Sequence, residues 1–340
     1  MSTALPEGSG PTPTPTASAG SRGPEFLERL FGTQTGVLLV INLVMMIALT
    51  IATPVFMTTA NLVALGVAMS SAALAAVGSA LVLLTGGFDL SIGSAYGLAG
   101  IVVSHALLAG IPVLPSMALA LLSGLAVGAA NGLIVTKLRV NPFITTLGTM
   151  TIVRGLINIF TQGYSISGLP EAFTRLVSLK ILGLPPSLVV MLLVAVLADL
   201  LLRWWRPARQ LYYVGGNFTY ARLIGISVDR LCIVAYMLSG LLAAVGGLLF
   251  TMRTGAGSQQ AGIGLEMLAL IAPFLGGVGF GGQGSILGAF LGAALLGLIF
   301  NAIQLLGIPA RFQTVITGAF LIGAALIGIA RVRRMYRAGR

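Results

Sequence analysis

The sequence predicts an all-α integral membrane protein of about ten transmembrane helices, some broken or short, with the N-terminus and C-terminus cytoplasmic. Three observations predict it. Hydrophobic residues make up 57% of the 340 positions and charged residues 8%, at a mean hydropathy of +1.02; soluble domains carry about 25% charged residues, so this chain cannot cover itself for water. The apolar residues come in blocks of about 17 to 25 separated by Gly, Pro and Arg, the length of a helical span, whereas barrel strands are about ten residues and alternate. The basic residues fall mostly between alternate blocks, and that asymmetry fixes the orientation.

Residues 1–24 contain PTPTPT and much Gly and Ser, too little apolar area to offset the entropy of ordering, and are expected to form a disordered tail. Residues 25–35 are expected to include a short helix at the membrane surface. The apolar transmembrane region then runs over 36–330, with spans at about 36–53, 61–84, 92–109, 113–135, 143–160, 187–202, 231–250, 266–278, 285–305 and 312–330. The eighth is short and carries Pro273, Gly276 and Gly277, which predicts a broken or partial span. Between the fifth and sixth, residues 169–182 have the apolar spacing of a short helix lying on the outer surface. Residues 203–230 form the longest inner connection, opened by the interface anchors Trp204 and Trp205, and 331–340 form a basic inner end.

With the N-terminus inside, fourteen of the 19 basic residues fall on the inner side, Arg175, Lys180, Arg253 and Arg311 fall outside, and Arg154 lies within a span. The net charge of +11 therefore has a topological origin. The basic residues lie between apolar blocks, where topology accounts for them, so a nucleic-acid partner is rejected. The single Cys232 and single His105 lie in apolar runs without metal-ligand neighbours. Neither of the two lysines, Lys137 and Lys180, follows glycine, so the chain has no phosphate loop of the GxxxxGK[ST] kind and no assembled catalytic constellation.

Three charges need a partner or water at membrane depth. Asp89 lies in TGGFDLSIGS (85–94), where Gly86 and Gly87 can end one helix and Asp89 or Ser91 can cap the next. This is either a capped turn at the membrane surface or a break lining a transport path. Arg154, deep in the fifth span, either bonds backbone carbonyls or a carboxylate and holds helices in register, or lines the path. Glu266 opens the eighth span. Asp199 and Arg203, four residues apart, can pair at a membrane edge. The dense glycines of GGVGFGGQGS (276–285) form a second Gly-marked break, as in a duplicated transporter, and 128–143 faintly echoes 297–312.

The order TGGFDLSIGS, LRVNPFITTLG (138–148), YYVGGNFTYARLIGISVDR (212–230) and GIGLEMLALIAPFLGGVGFGGQGS (262–285) resembles the membrane permease subunits of ribose-type, monosaccharide ABC importers, from about residue 36 to the end. The resemblance implies a ten-helix subunit of the bacterial cytoplasmic membrane. It would work as a pair of permease copies with two cytoplasmic ATP-binding subunits, which hold ATP and Mg, and an extracytoplasmic sugar-binding protein. On this chain it assigns ATPase contact to Gly215, Gly216, Asn217, Ala221, Arg222, Gly225 and Ile226, within the inner connection. Candidates for the translocation path are Gly87, Asp89, Ser91, Arg154 and Glu266. The chain departs from the family pattern twice: the acidic residue usual after the paired glycines is replaced by Phe218, and Glu266 is followed by Met267 and Leu268 in place of Leu-Asp. The implied mechanism is alternating access, driven from the inner connection. The rival readings are a permease for nucleosides or branched-chain amino acids, and an ion-coupled secondary transporter using Asp89 and Glu266 as relays.

Overall fold

The computed structural model describes residues 33–309, 311–320 and 322–323. The tail expected over 1–24, nearly all of 25–35, the last part of the tenth segment and the basic end lie outside the described residues. Among the described residues there is no β-strand. The helices are α1 Gln34–Ala52, α2 Thr59–Leu84, α3 Ile92–Leu108, α4 Val113–Lys137, α5 Pro142–Thr161, the one-turn α6 Glu171–Thr174, α7 Pro186–Trp204, α8 Arg206–Gly216, α9 Phe218–Leu223, α10 Val228–Thr254, α11 Leu265–Leu275 and α12 Ile286–Leu305. A further helical stretch covers 312–320. Seven of these are long and apolar enough to cross a membrane, and α3 and α11 are shorter apolar helices. The shortness of both has one cause: each begins inside the bundle.

Burial divides the helices into an inner and an outer set. In α2, 72% of the most apolar window is buried, against 22% in α1, α5 and α7. A helix apolar all round belongs in the middle, while the outer ones turn residues such as Ile47, Ile51, Ile152 and Leu193 outward to lipid. Because lipid tails are as apolar as leucine, helices associate here by close packing and not by escape from water. The α4–α10 crossing shows how: a side chain at Gly128 would collide with the backbone of Tyr236 and Met237, so the glycine stripe Gly124, Gly128, Gly132 lets α10 lie against α4. In turn α10 packs on α2 and α3, at the centre of the molecule.

Outside the spans, α6 and the 3-10 turn after it occupy the stretch expected to be a surface helix, but Phe173 is wholly buried against Leu248 and Met252 of α10, so the segment is anchored as well as amphipathic. Trp204 and Trp205 are exposed where α7 ends. Asp199 and Arg203 pair at 2.6 Å, and Asp199 also accepts from the backbone N–H of Leu287 at the start of α12.

Candidate functional site: two breaks and an inner face

The first break begins where α2 ends. The N–H groups of Gly86 and Gly87 donate to Leu83 and Val82 carbonyls at 2.9 and 3.1 Å, the paired closure of a helix C-terminus, with Gly86 in the left-handed conformation that a glycine adopts without strain. The chain then runs non-helically through Gly87–Leu90 back into the bundle. Irregular backbone at that depth must find protein partners. Phe88 finds both in one side chain: its N–H donates to the Tyr236 hydroxyl at 3.3 Å, and that hydroxyl donates to the Phe88 carbonyl at 2.9 Å.

Asp89 is 1% exposed and faces the middle of α10. Its Oδ1 accepts from Ser91 N–H at 2.9 Å and Ser91 Oγ at 2.7 Å, and its Oδ2 accepts from Ser239 Oγ at 2.7 Å. Asn131 of α4 donates to Ser91 Oγ at 2.7 Å. The carboxylate therefore ties α3, α4 and α10 together. A capped turn at the membrane surface is not what forms: Ser91 holds the N-cap position of α3, but its hydroxyl is committed to Asp89 and makes no cap bond. The reason is non-local, since Ser239 arrives on a helix 150 residues further along the chain.

The second break beside this site is the connection 255–264 between α10 and α11, and not the glycine-dense 276–285 that the sequence marks, which forms the irregular turn between α11 and α12. Arg154, on α5, donates from Nη1 to the carbonyls of Ala261 at 2.8 Å and Gln259 at 3.3 Å, and from Nη2 to the carbonyl of Gly93 at 3.0 Å. The guanidinium thus holds this connection against the first turn of α3, the backbone-carbonyl arrangement expected of an arginine in register-holding contact. Glu266, in the first turn of α11, accepts from Gly264 N–H at 3.1 Å through Oε1, while its Oε2 is buried with no hydrogen-bond partner among the described residues. A side chain at Gly93 would collide with Glu266 Oε2 and the Gly262 carbonyl. Asp89, Ser91, Arg154 and Glu266 are thus gathered around the start of α3, and Gly87 lies nearer the inner end.

Beside the 203–230 connection a cavity of about 290 Å³ is lined by Gly86, Gly87, Arg139, Asn141, Phe218 and Arg222, among others, so the first three sequence motifs meet there. The fourth joins through aromatic contacts: Phe88 stacks on Phe280 at 5.5 Å between centroids and meets Phe143 edge-on at 5.9 Å. The inner connection folds as α8 and α9. Gly215 has no room for a side chain, because the Leu84 carbonyl and the Gly282 backbone lie against it, so α8 touches both the end of α2 and the 276–285 glycines. Asn217 ends α8 and caps α9, accepting from Tyr220 N–H at 2.9 Å. Ala221 is buried with Val214 and Val228, Ile226 packs beside them, and Gly225 takes the left-handed conformation after α9. Gly216 is exposed. Arg222 is exposed and pairs with Asp229 at 2.8 Å, as does Lys137 at 3.3 Å. Burial raises the Tyr212 hydroxyl above its usual value, with Asp199 pushing the same way and Arg203 opposing, so the phenol stays protonated at neutral pH.

Most motif-matched residues of this connection thus shape it, while its exposed large apolar and aromatic side chains include Tyr213, Phe218, Tyr220, Leu223 and Ile224, none of them among the candidates read from the sequence. Nor are Tyr236, Ser239 and Asn131 among those candidates. Each sits in an apolar or small-residue run whose period signals packing, and only the partner across the bundle reveals its role.

Connections that turn back into a lipid-facing bundle, with their loose backbone satisfied by protein, are of the kind found at the sites of membrane transporters. Residues 61–325 match the family described as "Branched-chain amino acid transport system / permease component", and the chain belongs to that family. It is 38% identical over 252 residues to the autoinducer 2 import system permease protein LsrC of Enterobacter sp. (strain 638), covering 74% of each chain. It is 31% identical over 312 residues to the D-allose transport system permease protein AlsC of Escherichia coli K12, covering 91% of this chain and 96% of that one. With the ribose import permease protein RbsC of the same organism it shares 35% identity over 297 residues, 85% and 92% of the two chains. No solved structure matches.

Proposed function

We propose that this chain is the membrane subunit of an ATP-driven importer for a monosaccharide or closely related small polar solute. The observation that carries the reading is likeness along nearly the whole length to permeases named for allose and ribose. In this reading the subunit sits in the bacterial cytoplasmic membrane with both ends inside, ten spans, and a second permease copy beside it. Two cytoplasmic subunits bind ATP and Mg and grip the inner face, and an extracytoplasmic binding protein delivers the sugar.

The geometry supports a division of labour along the inner connection. Phe218, Tyr220, Arg222 and Leu223 project outward and are available to a partner; Gly215, Gly216, Asn217, Ala221, Gly225 and Ile226 set the shape that presents them. Because α8 lies against the end of α2 and the 276–285 glycines through Gly215, a pull on α8 and α9 reaches both directly. Movement of the second break against the first then opens the path alternately to each side.

The test is uptake by vesicles containing the chain with its ATPase and binding protein. Labelled D-ribose or D-allose should accumulate when ATP is enclosed and should be indifferent to collapse of ion gradients. Accumulation driven by an ion gradient without ATP would favour the ion-coupled rival and overturn the reading. The family description supplies the second reading, a branched-chain amino acid as solute; competition by leucine and not by sugars would establish it.

A further inference from the structure

The corner where α7 gives way to α8 carries two chemistries side by side. Leu200, Leu201, Trp204 and Trp205 line an open groove along the last turn of α7. The two tryptophans are 79% and 56% exposed, so the bundle does not cover their faces. Next to them Arg203, Arg206 and Arg209 are all exposed. On α8, Arg206, Arg209 and Tyr213 recur at helical spacing and share one face, while Leu211 and Val214 are buried on the opposite one. The result is an amphipathic helix with a basic outer face, starting at the edge that tryptophans mark, which is the level of phospholipid headgroups.

The arginines lack counter-charge. Asp199 holds Arg203 at 2.6 Å, but Arg206 and Arg209 make no ion pair among the described residues. A second copy of the chain offers little to complete them. Among the described residues the carboxylates outside the two breaks are already paired: Glu171 with Arg175, Asp199 with Arg203, and Asp229 with Arg222 and Lys137. The missing partner has to bring its own anion together with an apolar body that fits an open, lipid-facing groove. Guanidinium groups bind phosphate oxygens through paired hydrogen bonds, and an acyl chain is the apolar body at hand in a bilayer.

We propose that the α7–α8 corner binds an anionic phospholipid, its phosphate on Arg206 and Arg209 with Arg203 beside them, and an acyl chain along Leu200, Leu201 and Trp204. A lipid seated at the first turn of α8 braces the helix that meets the end of α2 and the 276–285 glycines through Gly215. Trp204 and Trp205 are the only tryptophans in the chain, so quenching of tryptophan fluorescence by bromine on a lipid acyl chain reads this corner alone. The full chain is reconstituted in phosphatidylcholine vesicles containing a small, equal fraction of either brominated phosphatidylglycerol or brominated phosphatidylcholine. The anionic lipid should quench about threefold more than the zwitterionic one, and about 0.5 M sodium chloride should shrink that excess. The double substitution Arg206→Gln, Arg209→Gln should abolish the excess and leave quenching by phosphatidylcholine unchanged. Equal quenching by the two lipids overturns the proposal. Quenching by neither shows the groove covered by protein and overturns it too. An excess that survives both substitutions overturns the arginine contacts, and if the double variant does not reconstitute, an excess indifferent to salt does the same. No transported solute enters the measurement, so failure of sugar uptake would sink the functional reading and leave this result standing.

Discussion

The two breaks hold one carboxylate each, and the protein treats them oppositely. Asp89 is enclosed, and both of its oxygens are occupied by hydroxyl and N–H donors from α3 and α10. Glu266 has one oxygen on its own helix turn and the other unpartnered, beside a glycine that leaves it no slack. A buried charge with a complete set of donors holds its surroundings fixed, whereas an incompletely bonded one is stabilised by any rearrangement that completes it. The first break is therefore expected to be the more rigid of the two, although Arg154 also clamps the second through the carbonyls of Gln259, Ala261 and Gly93.

The sharpest way to break this comparison is Asp89→Leu, which strips the acceptors from Ser91 and Ser239. Each hydrogen bond to a charged group is worth about 1.5–3 kcal/mol, so a loss of roughly 3 kcal/mol or more is expected. It should be seen as a large fall in the folded fraction recovered in detergent, with Asp89→Asn falling less. Full recovery of folded protein would show that the first break is not the more rigid one. Next comes Arg154→Met, which frees the second break from α3. Uptake should drop about tenfold or more while the folded fraction falls less than for Asp89→Leu, and Arg154→Lys should recover part of the uptake, since an ammonium has donors but lacks the planar fork. Equal losses of fold in Arg154→Met and Asp89→Leu would erase the distinction between the breaks.

Glu266→Gln is the finer probe. It supplies an amide N–H₂ in place of a carboxylate oxygen and should lower the folded fraction less than either Asp89→Leu or Arg154→Met, because the side chain keeps its shape. Uptake should nevertheless change at least threefold, because the balance at the second break has been altered; unchanged uptake would make Glu266 inert. The smallest effect on stability belongs to Arg222→Glu, outside both breaks. Its ion pair with Asp229 is solvent-exposed and worth at most about 1 kcal/mol. Insertion should be intact, and the expected change is weaker co-purification of the ATP-binding subunit, measured by pull-down; undiminished binding would remove Arg222 from the docking face.

What could be read from the sequence was whatever is locally encoded. Gly86 ends α2, the ten apolar runs each hold a helix over their described parts, and the Asp199–Arg203 pair forms. Pro273, expected to mark a broken or partial span, lies inside α11, which at 11 residues is one of the shorter apolar helices; having no N–H, it leaves the Ala269 carbonyl without its helical donor. The shortness of α11 comes from the other end. GAGSQQAGIG reads as a surface loop because it is polar and glycine-rich, and nothing local says that Gly93 and Gly97 on α3 have left it room to sink inward. Likewise Asp89 advertised a partner without naming it, since Ser239 sits in a run of small residues that looks like plain helix packing. The motif glycines of the inner connection were conspicuous, and the side chains they display were not.

The Tyr236 phenol serves Phe88 as a surrogate peptide group, completing both halves of one residue's backbone from a neighbouring helix. A single rigid side chain is thereby riveted to α10 at one end and to the re-entrant stretch at the other. Sliding either past the other would strip two bonds together in an oily interior, so the two pieces are held as a unit.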